Sequence, residues 1–474
     1  VTLSYELRVR DLLHGFVYLT AAERVVIDHP LFQRLRYVRQ NDVASLVYPS
    51  LNTSRFEHSV GTAWVAGRMA QNIIRGHHWP TYRDALGLDE DEFLQTVRMY
   101  ALLHDLGHLP LSHLFETAFE DYARRTGTTG EALCESWTGV HGYRKLHEAV
   151  GARLAPLVLE RAPVAEPVRA AVLRLMTEKS LPHDDALRGV KLLVDSEIDA
   201  DRADSTARDG RLAGGEYGTY DIERLSASVF VIPHGRSWRL GYSRKAVGTL
   251  ESLLFDRYRT YTWIHHHHRI VSLRTAAREL IARLLAAGTI TADSLPFDDP
   301  KALSLVDDPW IWGLLRQRAQ FGGLEPEWEL LIHRDKARAN LVWKWRHEWA
   351  DLQDKVKERV GVRELKANDF SRGYEAFASE RLGCTLRIFY ISFTPVDSPV
   401  VPLTSEQGTE DHGDLLKHSN LVASLNGLWA KEPQYYATAF GELPDDRRAL
   451  GRRWADLTVD WLDLADAARA AWPP

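Results

Sequence analysis

Cysteine is scarce. The 474 residues hold two, Cys134 and Cys384, far apart in the chain, which argues against a disulfide framework and against a thiolate metal site. Long apolar runs are missing as well. None approaches the roughly 18–20 residues of a membrane span, and no signal peptide opens the sequence. The expected location is therefore cytoplasmic, with no membrane partner. Positive charge is not in excess either: the net charge is −6, with Lys and Arg scattered rather than massed. That argues against nucleic acid as the main partner, while local basic pockets for phosphate stay open. No internal repeat recurs at a fixed period. What is left is a globular composition, 45% hydrophobic and 26% charged, in a chain long enough for two domains or one large core with an appended part.

Histidine is what the chain has in plenty: twenty, with clusters at 104–113, 141–147 and 265–268. Around them the pattern is mostly helical. The segment 1–30, with GFVYLT, predicts a short strand, a turn and a capped approach to a helix. HPLFQRLRYVRQ (29–40) opens on Pro30, which suits a first helical turn, and sets Leu31, Leu35 and Val38 on one face. Helical patterns follow at 57–76, 90–105, 112–125, 141–160 and 162–176. One helix is expected over 186–209, then a hairpin in SVFVIPHGRSWRLGYS (228–243) around Pro233–Arg236. A long helix over 246–286 contains the His265–His268 run, whose internal position argues against a purification tag.

Beyond about 290 short helices mix with a β-run, TLRIFYISF (385–393), and a polar, proline-rich mobile loop at 395–416. A C-terminal helix carries Trp454, Leu457, Trp461 and Leu464. The expected class is mainly α: a compact helical core over 1–290 with minor β elements, then a mixed α+β part over 291–474. That second part either covers the pocket or builds a subunit interface.

Four short stretches carry the chemistry: SRFEHS (54–59), LLHDLGHLPLSH (102–113), KLHEAV (145–150) and EIDADRADSTARD (197–209). Each puts a His or Asp where helical periodicity wants a core residue. His104 and His108 are one turn apart and share a face, and Asp105 is adjacent. His58 and Asp201 would have to arrive from other helices. Imidazoles and carboxylates together suit a divalent ion such as Mn, Fe, Mg or Zn, which lowers the pKa of bound water and neutralises charge on a phosphoester. Taken singly, each of these histidines reads more simply as a satisfied core or surface residue. The four motifs together reverse that reading. Asp199 and Asp204, which flank Asp201, read as solvated or helix-pairing.

His58, the pair His104-Asp105 and Asp201 resemble the H…HD…D signature of the HD-domain metal phosphohydrolases. FQRLRYVRQ, SRFEHSVGT, HDLGHLPLSH and DADRADSTARD look like one branch of them, the deoxynucleoside triphosphate triphosphohydrolases, over about residues 5–285. The resemblance implies cleavage at the α-phosphate to a nucleoside and tripolyphosphate, in nucleotide-pool control or phage defence. Carried over by motif, His58, His104, Asp105 and Asp201 hold the metal. His113 and His147 stand near the α-phosphate, one of them activating water or protonating the leaving 5′-oxygen, and His108 contacts the same phosphate. Arg55 and Arg202 bind phosphates, and Gln40 and Asp209 bond the sugar 3′-hydroxyl. Tyr261 lies near the substrate-lining helix, with one of His267 and His268 facing the pocket. Asp28, Gln33 and Arg36 fit the pattern of a guanine-nucleotide effector site, which implies a nucleotide effector and a homo-oligomer, dimer or tetramer.

Three positions depart from the branch. Arg202 replaces a lysine and keeps the charge. Ser205 replaces a tyrosine that contacts phosphate. Asn41 replaces the apolar residue that crowds a ribose 2′-hydroxyl, so ribonucleotides and modified nucleotides remain open as substrates. Two further readings stay beside the leading one: an HD phosphatase that releases phosphate stepwise from a specialised nucleotide, and a non-catalytic nucleotide-sensing protein.

Overall fold

A computed structural model describes residues 3–464 except 322–324, 335–338, 361–372, 392, 394–400, 410, 433–434 and 443–445. The fold is mainly α with small sheets. It opens with an antiparallel hairpin, Tyr5–Asp11 against Gly15–Thr20. Thr20 then caps Ala21–Ile27 in a reciprocal box with Glu23, which satisfies backbone donors that a bare helix start leaves open. The same device, Ser54 with Glu57, starts the helix Arg55–Ile74, and Asp89 with Glu92 starts Glu90–Leu103.

Arg55–Ile74 is the axis of the molecule. It packs on Glu90–Leu103 and on Ala200–Leu212, and small residues along it (Gly61, Ala63, Ala66, Gly67, Ala70) let the neighbours come close. Gly61 is needed outright: a Cβ there would fall 2.1 Å from Asp204 Oδ1. The largest apolar core surrounds this axis and reaches to Leu331, with added residues from 401–440. A second core is aromatic, built from Trp343, Trp349, Tyr435, Trp454 and Trp461 around the sheet whose order is Ala339–Leu341, Tyr435–Phe440, Thr385–Tyr390.

Several sequence expectations need correction. The segment 186–209 is two helices, Leu187–Leu192 and Ala200–Leu212, because Asp199 takes an extended backbone and its carboxylate accepts from Arg202 N. The helix expected over 246–286 is interrupted. Val247–Thr260 widens into a π-turn at Tyr261–His265, and the chain restarts at His268 with the His267 ring accepting from Arg269 N. The 29–40 pattern gives one α turn, Pro30–Gln33, and one 3₁₀ turn, Arg34–Tyr37, since Arg39 must extend to bridge Ser54. The mobile loop expected at 395–416 contains two strands: Pro402–Thr404 adds in parallel to Ser237–Ser243, and Asp411–Asp414 pairs with it. Residues 395–400 of that expectation lie outside the described residues.

Candidate active site

Four side chains from three helical segments meet beside the central helix. His58 projects from Arg55–Ile74, His104 and Asp105 follow the end of Glu90–Leu103, and Asp201 sits in the first turn of Ala200–Leu212. His58 Nε2 lies 2.8 Å from Asp201 Oδ1 and 3.6 Å from Asp105 Oδ2. His104 Nε2 lies 3.4 Å from Asp105 Oδ2 and 4.0 Å from Asp201 Oδ1. Both Nε2 atoms are buried, and neither is aligned in a hydrogen bond among the described residues. The His58–Asp201 pair is thus close in distance without hydrogen-bond alignment.

The opposite ring nitrogens explain the orientation. His104 Nδ1 is 2.7 Å from the Ala101 carbonyl, which fixes the proton on Nδ1 and leaves the Nε2 lone pair free. His58 Nδ1 is held by Asp204 Oδ2 at 2.9 Å. A ring nitrogen tied to a carboxylate or carbonyl, with the other lone pair aimed inward, is the arrangement that makes histidine a metal ligand. His58, His104 and Asp201 form a group that could hold an ion, and Asp105 Oδ2 stands against two of them. Two imidazoles and two carboxylates fit Mn, Fe, Mg or Zn by donor type.

The charges around these groups are strongly coupled. Burial of His58 opposes its protonation, but the nearby Asp201 and Asp204 carboxylates push it up to about 10, so an ion binding at Nε2 must displace a proton there. Burial alone would raise Asp105, yet Arg55, His104 and His108 hold it well below the usual carboxylate range. Arg55 Nη1 is 2.6 Å from Asp105 Oδ2, and its Nε donates to Ser112 Oγ at 3.0 Å.

A second cluster stands beside the first. His108 stacks on His147 at 4.2 Å, with His113 edge-on to both. His108 Nε2 is 3.2 Å from Asp105 Oδ1, which links the two groups. Glu116 binds both of the other rings, at 2.9 Å from His113 Nδ1 and 2.5 Å from His147 Nδ1. Burial opposes the charge on His147, and Glu116 outweighs it, so the ring's pKa is raised. His108 goes the other way: burial, then Arg55 and His147, lower it well below the ordinary value. The two stacked rings are thus pushed in opposite directions, His147 toward its protonated form and His108 toward its neutral one. Gly107 permits this approach, because a Cβ there would fall 2.0 Å from the His147 carbonyl oxygen and 2.3 Å from Gly151 N.

The backbone that delivers His113 is unusual. Leu111 and Ser112 both take left-handed conformations, φ 59° and 53°, which non-glycine residues adopt at a cost. Asp308 supports them from the C-terminal side of the chain. Its carboxylate accepts from Leu111 N at 2.7 Å and from Arg39 N at 3.0 Å, and burial pushes it up to about 7 from an ordinary 3.8. The folded chain thus binds that proton more tightly than the unfolded chain does. This group's contribution to stability falls as pH rises from about 4 to about 7 and is level above. Asp308→Asn is expected to flatten that dependence and, by leaving one backbone donor unmatched, to cost about 1–3 kcal/mol. Thermal unfolding at pH 5 and pH 8 checks it; a variant with the wild-type pH slope would refute the assignment.

A cavity of about 870 Å³ joins all of this. Its lining includes His104, Asp105, His108, His113, His147 and Asp201, and also Gln40, Arg55, Arg202, Asp209 and Tyr261. Arg202 Nη1 lies 3.4 Å from Glu197. Tyr261 stacks at 3.6 Å on Phe393, so the region beyond 290 supplies part of the wall. The histidine run needs correction: His265 and His266 line the cavity, whereas neither His267 nor His268 does. His267 is spent capping its helix and meeting Tyr48, and His268 packs on Trp345.

Asp28, Gln33 and Arg36 lie elsewhere, with Arg36 donating to Gln33 at 2.8 Å and Gln33 to the Ile27 carbonyl at 2.6 Å. Asp28 is 3.6 Å from Arg24 on the surface. Sequence reasoning missed Glu116 and His14, and it underrated two aspartates. Asp199 is a buried helix cap rather than a solvated residue. Asp204 does pair along its helix with Arg208, but it is fully buried and also holds His58 and His14. The spacing His113-x-x-Glu116 was the available signal for Glu116.

Comparison with known proteins agrees with this geometry. Residues 55–209 match the HD domain family. An uncharacterized protein of Methanocaldococcus jannaschii is 26% identical over 309 residues, 65% of this chain and 54% of its own length. The deoxynucleoside triphosphate triphosphohydrolase SAMHD1 of Gallus gallus is 26% identical over 276 residues, 55% of this chain and 42% of that protein. The Homo sapiens protein of the same name is 37% identical over 116 residues, 24% of this chain and 17% of that protein. The chain spans about half the length of the curated relatives it matches. A crystal structure of a hypothetical protein from Aquifex aeolicus shares the fold, with TM-score 0.62 over 96% of this chain and 100% of that one at 19% identity.

Proposed function

From the HD domain that this chain carries over residues 55–209, a metal-dependent phosphohydrolase unit, we propose that it hydrolyses nucleoside triphosphates at the α-phosphorus, releasing a nucleoside and tripolyphosphate. One observation carries the reading: His58 Nε2 and His104 Nε2 are buried, have no aligned hydrogen bond among the described residues, and lie within 4.0 Å of the Asp105 and Asp201 carboxylates. His58, His104, Asp105 and Asp201 would hold the ion. When bound, a divalent ion there supplies a low-pKa water and offsets negative charge on phosphate.

The chain's own residues do the remaining work. Arg202 faces the cavity beside Asp201, and its guanidinium suits a phosphate oxygen. Arg55 lines the same space while fixing Asp105. Water oxygen bonds to the α-phosphorus, the bond from phosphorus to the 5′-oxygen breaks, and that oxygen takes a proton. His147 is suited to give it, because Glu116 orients its ring and raises its pKa. His113, held by the same carboxylate, can serve the entering water. The similarity to proteins named deoxynucleoside triphosphate triphosphohydrolase supports the substrate class, and control of nucleotide pools or defence against phage is the role that such a reaction serves.

The test is a panel of the four dNTPs and four NTPs with Mn²⁺, with products resolved by chromatography. Tripolyphosphate and nucleoside in equal amounts are expected. Orthophosphate with a nucleoside diphosphate or monophosphate would replace this reading by stepwise dephosphorylation. Nucleotide binding without any product would replace it by a sensing role.

A further inference from the structure

One end of the cavity has more hydrogen-bond acceptors than the chain itself can use. Gln40, Asn41, Asp209 and His265 line it together. Asn41 Nδ2 donates to Asp209 Oδ1 at 2.7 Å, and His265 Nε2 lies 3.1 Å from Asp209 Oδ2. Those contacts fix the carboxylate and orient the Asn41 amide, whose nitrogen keeps a second N–H. Gln40 Oε1 is buried and has no partner among the described residues. A buried, unused acceptor thus stands near a carboxylate that has lone pairs to spare.

The segment is also rigid. Gln40 N donates to the Thr53 carbonyl at 2.9 Å and Ala44 N to the Asn41 carbonyl at 2.8 Å. Asp42, at φ 42°, is gripped by Arg274 Nε at 3.0 Å from each oxygen. On a backbone held this way, a donor brought by a ligand would satisfy Gln40 Oε1.

We propose that this wall recognises a cis-diol, and hence that the preferred substrates are ribonucleoside rather than 2′-deoxyribonucleoside triphosphates. The assignment rests on reading the cavity as a nucleotide site. A ribose presents two adjacent hydroxyl donors, one for Asp209 and one for Gln40 Oε1. A deoxyribose presents one, and the second acceptor would stay buried and unmatched. A site built around a hydroxyl rejects the analogue that lacks it far more strongly than an apolar pocket rejects an extra group. The expected preference is about tenfold or more.

The experiment measures binding and turnover separately. Calorimetry with all four NTP/dNTP pairs, in excess Mn²⁺, uses the Glu116→Gln protein, which keeps the sugar wall and the four metal-holding residues but should turn over slowly. Wild-type kcat/KM is measured on the same pairs. For the best-bound base, the ribonucleotide should bind at least about tenfold more tightly than its deoxy analogue. Asn41→Leu and Gln40→Met should each bring that ratio toward one, and thermal unfolding confirms that at least one of them is folded. Equal or tighter binding of the deoxy series, an unchanged ratio in a folded variant, or no binding by either series overturns the assignment. A ribonucleotide preference in binding with no turnover by wild type would sink the hydrolytic reading and leave the sugar assignment standing.

Discussion

Asp201→Asn is expected to lower turnover by roughly a thousandfold or more while leaving thermal unfolding within a few degrees of wild type. The size follows from asking the ion for several kcal/mol of transition-state stabilisation, at about 1.4 kcal/mol per tenfold. The small stability cost follows from position. The Asp201 side chain is 36% exposed, and its partners are His58 and His104, so its loss strands no guanidinium. Asp105 differs. Its carboxylate neutralises Arg55 in a pair whose side chains are 7% and 3% exposed, and Asp105→Ala would leave that cation buried and alone. Such a break costs about 3–5 kcal/mol, so Asp105→Ala should lose both activity and stability. Comparing the two variants by kcat and by unfolding separates chemistry from folding. An Asp201→Asn protein with wild-type turnover would show that this carboxylate takes no part in holding the ion.

The second large effect is expected at Glu116. Its carboxylate holds His113 Nδ1 and His147 Nδ1 at once, and these bonds orient both rings over the site. Burial alone would raise its pKa, but His147 and His113 hold it well below the usual range, so it is charged at neutral pH. Glu116→Gln keeps the volume and removes the charge. His147 then loses the carboxylate that lifts its pKa, and less of it is protonated at pH 7. Loss of an oriented acid typically costs about 10²- to 10⁴-fold, and about a hundredfold in kcat is expected here, with the pH optimum moved downward because His147 protonates at lower pH. Metal at the His58–His104–Asp105–Asp201 group should be unchanged, because Glu116 lies outside it and belongs to a second group, with His108, His113 and His147, that could hold an ion of its own. A pH–rate profile of both proteins checks this. A variant that lost its metal, or kept the wild-type optimum, would contradict the role assigned to Glu116.

The local patterns that a sequence shows directly were the ones the structure kept. Ser54 with Glu57 starts a helix because cap and box are four adjacent residues, and His104-Asp105 end up together because they are neighbours. Convergence of His58 and Asp201 on that pair was legible only through the resemblance of four motifs. Periodicity could place each on a helix but could not bring the helices together.

The failures have physical causes as well. Asp199 breaks 186–209 because an N-cap competes with helix continuation, and the apolar stripe hides it. The helix is interrupted by a π-turn at Tyr261–His265, which the sequence pattern did not show, and it is His265 and His266, not His267 and His268, that line the cavity. Asp204 reads as a solvent-facing acid until His14, from the first hairpin, is seen 2.7 Å away. Asp308 is 197 positions from the Leu111 it supports, and no local signal announces such a partner.

The most direct test of the central claim, that four side chains hold one catalytic cation, is hydrolysis of nucleoside triphosphate by chelator-treated protein titrated with Mn²⁺. Activity should vanish on stripping and return to a plateau as the ion is restored, and the Asp201→Asn protein should need far more Mn²⁺ or never recover. Stripped protein that cleaves its substrate at the untreated rate would contradict the claim.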